Sequence, residues 1–207
     1  MSEQLVLPRF YPILDTATAA RFSIHPTAAA EQMVKAGAKI LQFRHKAFWS
    51  RETVETLQRI AALCRNCGVL FIVNDRADLA RLVGGGLHLG QEDLPPSAVR
   101  QMLGARSLIG FSTHNESQLR DAADEPADYV ALGPIFGTTS KENPDPVMGV
   151  EGLRRLRPLT RRPLVAIGGI IRTNAAEVFA AGADSVAVIS DLFPDVRSRV
   201  KEWLART

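Results

Sequence analysis

A short apolar run followed by a stretch with helical spacing recurs eight times along these 207 residues, and this constrains the chain more than any single motif. The apolar runs are 11–14, 39–44, 70–74, 87–90, 108–112, 129–133, 164–168 and 185–190. Runs of this length, bounded by turn residues, read as buried strands. Between two of them, Val54, Leu57, Ile60, Ala61 and Cys64 trace one helical stripe. A helix is expected from Thr27 to a stop at Gly37, and another from a Ser50 cap to a stop at Gly68. Others are expected after Asp75, Pro95, Asn115, Val150, Asn174 and Pro194. Eight strand–helix units without a composition break predict a (β/α)8 barrel, the TIM-barrel architecture, as one domain over 1–207. The length is short for that fold, so most loops must be tight. An open doubly wound sheet is the alternative.

The composition excludes several classes of partner. The net charge of +3 and the lack of a dense basic stripe argue against nucleic acid. No apolar run approaches the roughly 20 residues of a membrane span. Residues 1–4 lack the basic start and apolar stretch of a signal peptide, so a cytoplasmic protein is expected. Cys64 and Cys67 form a CxxC pair at the end of a helical run, not at the helix N-terminus where the dipole lowers a thiol pKa. A helix packing position for Cys64, with Cys67 as its neighbour, is expected instead of redox chemistry.

Chemistry is expected at the strand ends. The run 70–73 leads into Asn74-Asp75-Arg76, and the run 87–90 leads into Gln91-Glu92-Asp93. Two buried parallel strands would thus each deliver a carboxylate, Asp75 and Asp93, to one end of the sheet. Together they could hold a hard cation such as Mg²⁺. The preceding strand ends Gln42-Phe43-Arg44-His45-Lys46. With a period of two, Gln42, Arg44 and Lys46 share one face, and Leu41 and Phe43 take the other. A guanidinium and an ammonium beside metal-binding carboxylates suit a di- or triphosphate. Gly168-Gly169 after the seventh strand, with Ile189-Ser190 after the eighth, fits a second, monophosphate site, since barrels often bind phosphate at those loops. The connection from Gly137 to Val147 is polar, holds two prolines and has no period, so a lid over the site is expected there.

At this point the residues resemble those of the thiamine-phosphate synthase family, along nearly the whole chain. The matching pieces are 42–46, Asn74-Asp75-Arg76, 88–93, Gly110-Phe111-Ser112-Thr113-His114, 133–136 with Thr138 and Lys141, 166–170 and 186–190. The resemblance implies that a hydroxymethylpyrimidine diphosphate loses pyrophosphate while its methylene carbon is captured by the ring nitrogen of a thiazole phosphate, or its carboxylated form. Thiamine monophosphate is the implied product and a dissociated pyrimidine carbocation the implied intermediate. It further implies that Asp75 and Asp93 hold Mg²⁺, and that Arg44, Lys46, Asn74 and Lys141 bind the diphosphate. Gln42 and His88 would face the pyrimidine, and Ser112 would lie near the reacting centre. Ser112, Lys141 and Arg44 would be the catalytic groups. Thr138 and Ser140 would hold the thiazole phosphate, with backbone from Gly168, Gly169, Ile189 and Ser190. The two small-molecule substrates are the expected partners, and a homodimer is the assembly kept open.

Plainer readings stand beside these. Arg44 and Lys46 could pair with Asp75 and Asp93 as a structural ion network. His88 could be a satisfied core histidine, and Ser112 a plain strand hydroxyl. His114 is expected to cap or pack. His45, of opposite parity to Arg44, is expected to face the helices with no role. The chain departs from the family pattern at Ser140, where threonine is usual, at Gly84-Gly85-Gly86, and at Asp191. A carboxylate beside a phosphate is repulsive, so Asp191 is expected to point away. The rival activities are a thiazole tautomerase-like relative, a non-catalytic thiamine-phosphate-binding barrel, and another phosphate-binding barrel such as a tryptophan-pathway isomerase. That last rival leaves the paired aspartates without a purpose.

Overall fold

The computed structural model describes residues 5–138 and 145–207. Its strands are β1 (Phe10–Asp15), β2 (Ile40–Arg44), β3 (Leu70–Asn74), β4 (Gly86–Leu89), β5 (Ile109–Thr113), β6 (Tyr129–Leu132), β7 (Leu164–Ile167) and β8 (Ser185–Val188). Each pairs in parallel with the next, and β8 pairs with β1, so the sheet closes into a barrel. Closure removes the open doubly wound alternative. The helices are α1 (Thr16–Arg21), α2 (Pro26–Ala36), α3 (Arg51–Asn66), α4 (Ala77–Val83), α5 (Pro96–Leu103), α6 (Glu116–Asp121), α7 (Gly149–Leu156), α8 (Ala175–Ala180) and α9 (Val196–Leu204).

Local chemistry sets the boundaries. Ser50 caps α3 as expected, its hydroxyl accepting from the Thr53 amide at 3.2 Å. At the other end Gly68 takes a positive φ of 65° just beyond the helix. The expected start of α2 moves one residue back, to Pro26, whose missing N–H costs nothing in the first turn. The unanticipated element is α1, six residues with no apolar period. It forms because Asp15 ends β1 and caps the next turn, accepting from the amide and hydroxyl of Thr18 at 2.9 and 2.7 Å.

Strand parity divides the core into two layers. Tyr11, Ile13, Ile40, Ile72, Tyr129, Ala131, Val165 and Ala187 fill the barrel interior. Leu41, Phe43, Val73, Leu57 and Ile60 pack between barrel and helices. Fully burying one such leucine or phenylalanine stabilises the fold by about 1.5–3 kcal/mol. Trp203 of α9 stacks on Phe10 of β1 with ring centroids 5.4 Å apart, which fastens the last helix over the seam where the barrel closes. Cys64 belongs to the outer layer, and burial, ahead of the neighbouring Cys67, pushes its thiol up to about 12. A thiol held protonated is a poor nucleophile, in keeping with packing over redox chemistry.

Candidate functional site

The barrel brings the expected polar residues to the carboxyl ends of β2 to β5. Register places Asp15 beside Arg44. The two form an ion pair of 2.6 Å, in which Asp15 is only 3% exposed. Arg44 is therefore balanced by Asp15, not by Asp75 or Asp93. Lys46 does pair with Asp75, so half of the plain ion-network reading holds in the resting molecule.

Asp75 lies just past β3 and has φ of 63°, in the left-handed region that few non-glycine residues adopt. Its amide donates to the His88 carbonyl at 2.8 Å, carrying the β3–β4 pairing one residue further. Burial raises its carboxyl above the usual range. The Lys46 ammonium pulls it down, and the Asp93 carboxylate beside it pushes it up again. Asp93 is held in turn by the Gly90 amide at 2.7 Å. Two carboxylates that repel one another beside a single lysine make a cation-seeking pair. Among the described residues the neighbouring Asn74 side-chain amide nitrogen is buried with no hydrogen-bond partner. An orphaned donor next to paired carboxylates fits an anion held together with a cation: Asn74 Nδ2 would donate a hydrogen bond to an oxygen of the anion, and the carboxylates would hold the cation. Among the described residues no group of three or more His, Cys, Asp or Glu side chains stands together as a metal site, so protein ligands here would number two, Asp75 and Asp93.

Below these charges runs a chain of neutral polar side chains. Gln42 Nε2 donates to the Tyr11 hydroxyl at 3.1 Å, and the Tyr11 and Tyr129 hydroxyls are 2.8 Å apart. Tyr129 reaches His88 Nδ1 at 3.1 Å, and His88 Nε2 lies 2.9 Å from Ser112 Oγ. Burial pushes the His88 imidazole down to about 4, so it is neutral near pH 7. His88 is thus both a satisfied core histidine and a neighbour of Ser112. The two side chains are brought together, while Gln42 is spent in part on Tyr11.

The second cluster of expected residues forms at β7 and β8. Gly168 and Gly169 have φ of 97° and 62°. A Cβ on Gly168 would stand 2.5 Å from Pro134 Cβ, and one on Gly169 would stand 2.4 Å from the Gly137 carbonyl oxygen. These glycines are therefore required first by the β6–α7 connection, which lies against them through Ile135 and Phe136 amides donating to Ile167 and Gly168 carbonyls at 2.9 Å each. Among the described residues the amides of Gly168, Gly169 and Ile189 have no acceptor, so three backbone donors at the ends of β7 and β8 are available to a ligand. Ser190 opens a single 3-10 turn, Ser190–Leu192. Asp191 is held by the Arg172 guanidinium at 3.0 Å and the Trp203 indole at 3.0 Å, so its charge is already matched. Thr138 lies at the start of the β6–α7 connection. Ser140, Lys141 and most of the expected lid lie outside the described residues.

His114 packs as expected, its Nδ1 donating to the Gly133 carbonyl at 2.7 Å. His45 bonds Thr16 at 2.8 Å and the Phe48 carbonyl at 3.1 Å, away from the polar chain. A cleft of about 770 Å³ lies at the opposite barrel end, lined by Arg65, Arg81, Gly85, Met102 and Leu108, and shares no residue with either cluster. The residues missed from sequence are Asp15, Tyr11 and Tyr129. Asp15 ends an apolar run in the same way as the aspartate after β3, so the same criterion applied to 10–15 would have found it.

The family model for thiamine monophosphate synthase matches residues 10–192. A thiamine-phosphate synthase of Koribacter versatilis (strain Ellin345) is 45% identical over 210 residues, covering 99% of this chain and 98% of its own. That of Moorella thermoacetica (strain ATCC 39073 / JCM 9320) is 46% identical over 155 residues, 74% of each chain. Among solved structures, a thiamine phosphate pyrophosphorylase from Pyrococcus furiosus superposes with a TM-score of 0.83 at 32% identity, covering 95% of this chain and 94% of that one.

Proposed function

The chain belongs to the thiamine monophosphate synthase family, and on that premise we propose how its residues divide the work of joining a hydroxymethylpyrimidine diphosphate to a thiazole phosphate. In this transfer the bond between the pyrimidine methylene carbon and the diphosphate oxygen breaks, and the electron pair leaves with pyrophosphate. The thiazole ring nitrogen donates its lone pair to the same carbon, which gives thiamine monophosphate. No proton need be removed, so the protein's part is to hold the leaving charge and align two rings.

Asp75 and Asp93 would hold Mg²⁺, whose charge neutralises that building on the leaving group when it is bound. Lys46 exchanges Asp75 for a diphosphate oxygen. Arg44 keeps one nitrogen on Asp15 and offers its remaining N–H groups to the diphosphate. Asn74 Nδ2 donates to a diphosphate oxygen. Gln42, His88 and Ser112 border the pyrimidine. Thr138 and the amides of Gly168, Gly169, Ile189 and Ser190 receive the thiazole phosphate. Ser140 and Lys141 join these two groups on the resemblance alone. Among the described residues no helix is long and apolar enough to cross a membrane, and a cytoplasmic location completes the proposal.

The observation that carries the reading is the buried, unpartnered Asn74 amide beside two close carboxylates. Its test is pyrophosphate binding by calorimetry, with and without Mg²⁺. Binding should need Mg²⁺, and Asn74→Ala should weaken it about tenfold, the loss of one charge-assisted hydrogen bond. Equal affinity in the variant, or binding indifferent to Mg²⁺, would remove the diphosphate from this position.

A further inference from the structure

The barrel interior holds two tyrosines that the reaction as described does not use. We propose that Tyr11 and Tyr129 are positioning residues, which with Gln42 and His88 form a one-directional hydrogen-bond chain that fixes what each of its ends presents to the pyrimidine substrate. The inference rests on the reading above that Gln42 and Ser112 border the pyrimidine.

Direction follows from counting protons. Each phenol has one proton to give. Gln42 Nε2 donates to the Tyr11 oxygen at 3.1 Å, and among the described residues the Tyr129 oxygen 2.8 Å away is the one acceptor left for the Tyr11 proton, so satisfying that proton sets Tyr11 as donor to Tyr129. Tyr129 then gives its proton to His88 Nδ1 at 3.1 Å, which must be the bare nitrogen of the ring. The imidazole proton is thereby placed on Nε2 and donated to Ser112 Oγ at 2.9 Å. The Ser112 proton is left over, free to leave the chain toward the mouth. At the other end Gln42 Oε1 has no partner among the described residues. The chain therefore ends in an acceptor at Gln42 and a donor at Ser112. An aminopyrimidine needs this pair: an acceptor for its exocyclic amine, and a donor for a ring nitrogen or the departing oxygen.

Two further observations support a fixed proton count. Burial holds both phenols protonated, raising each well above its usual pKa. Gly110 lies between β4 and β6, where a Cβ would stand 2.1 Å from Tyr129 Cζ and 2.5 Å from His88 Nδ1. The glycine leaves the space in which the His88 and Tyr129 rings stack, their centroids 5.6 Å apart. Reversing the chain requires the amide, both phenols, the imidazole and the serine to turn together. Removing one hydroxyl frees the direction of everything beyond it.

The plain alternative is that the tyrosines only satisfy one another in a barrel core. A double-mutant cycle separates the two, measured on the full chain with Mg²⁺ and both substrates. Tyr129→Phe should lower kcat about tenfold, with the KM for thiazole phosphate unchanged. In a Ser112→Ala background the same change should cost less than about twofold, because its route to the substrate is already gone. Nitrogen-15 NMR should show His88 protonated only at Nε2 in the parent and as a tautomer mixture in Tyr129→Phe. Tyr11→Phe, one link further away, should act in the same direction with a smaller loss. Equal cost of Tyr129→Phe in both backgrounds, or an unchanged His88 tautomer, would overturn the inference while leaving the site reading in place. Parent kinetics in Ser112→Ala would overturn both.

Discussion

Asp75→Ala and Asp93→Ala should each lower kcat by about 10²-fold or more, the scale of losing one preorganised electrostatic contact. The effect is large because the two carboxylates are placed for one purpose. Asp75 sits at φ of 63°, a conformation that costs free energy and persists only when its surroundings impose it. Burial and the Asp93 charge both raise its carboxyl, so without a cation the pair is poorly matched by Lys46 alone. In the proposed reading Asp75 and Asp93 would hold a divalent ion, whose charge would offset their repulsion and that of the diphosphate. Removing either aspartate leaves one carboxylate, and the variants should need far more Mg²⁺ to reach their residual rate. The measurement is kcat against Mg²⁺ concentration, with an EDTA control. Near-normal turnover in both variants with EDTA present would contradict the metal assignment.

Gly169→Ala should raise the KM for thiazole phosphate about tenfold or more and lower the thermal midpoint by several degrees. Two costs combine. A φ of 62° is in the left-handed region, which costs an L-residue about 1–2 kcal/mol. The new Cβ would also stand 2.4 Å from the Gly137 carbonyl oxygen, a distance that forces the β6–α7 connection away. That connection begins the segment carrying Thr138, so the phosphate would lose both its side-chain hydroxyl and its backbone donors. A midpoint shift of about 2–4 °C for each kcal/mol is expected in a chain of this size. KM for the pyrimidine diphosphate should change less, since β3 and β4 lie across the barrel. Unchanged thiazole phosphate KM in a destabilised variant would mean that the glycines serve packing alone.

How much of this was legible in the sequence depended on the kind of signal. Period-two parity put Gln42 on the face opposite Leu41 and Phe43, and the structure packs Leu41 and Phe43 in the outer layer while Gln42 bonds Tyr11 of the barrel interior. Strand ends that stop at a charge were equally readable, and Asp75, Asp93, Arg44 and Lys46 all lie where the pattern put them. The helix α1 was not readable: six residues with no apolar period form a helix only because Asp15 caps them, and a cap is visible only once the preceding strand is known to stop there. The Asp15 partner of Arg44 was not foreseen for the same reason, since pairing across β1 and β2 depends on register. Tyr11 and Tyr129 looked like ordinary apolar strand residues. Their hydroxyls acquire meaning only when closure brings residues 118 apart in sequence to 2.8 Å. The glycines after β7 were noticed for their ligand-facing backbone, but their tightest contacts are with a neighbouring loop that no local pattern reveals.

The most direct measurement is incubation of the full chain with hydroxymethylpyrimidine diphosphate, thiazole phosphate and Mg²⁺, with pyrophosphate and thiamine monophosphate followed together. The account predicts that the two products appear at equal rates, that both stop when Mg²⁺ is chelated, and that neither forms when Asp75 and Asp93 are both replaced. Tight binding of thiamine monophosphate with no turnover, or thiamine monophosphate formed at the parent rate by the double variant, would contradict it.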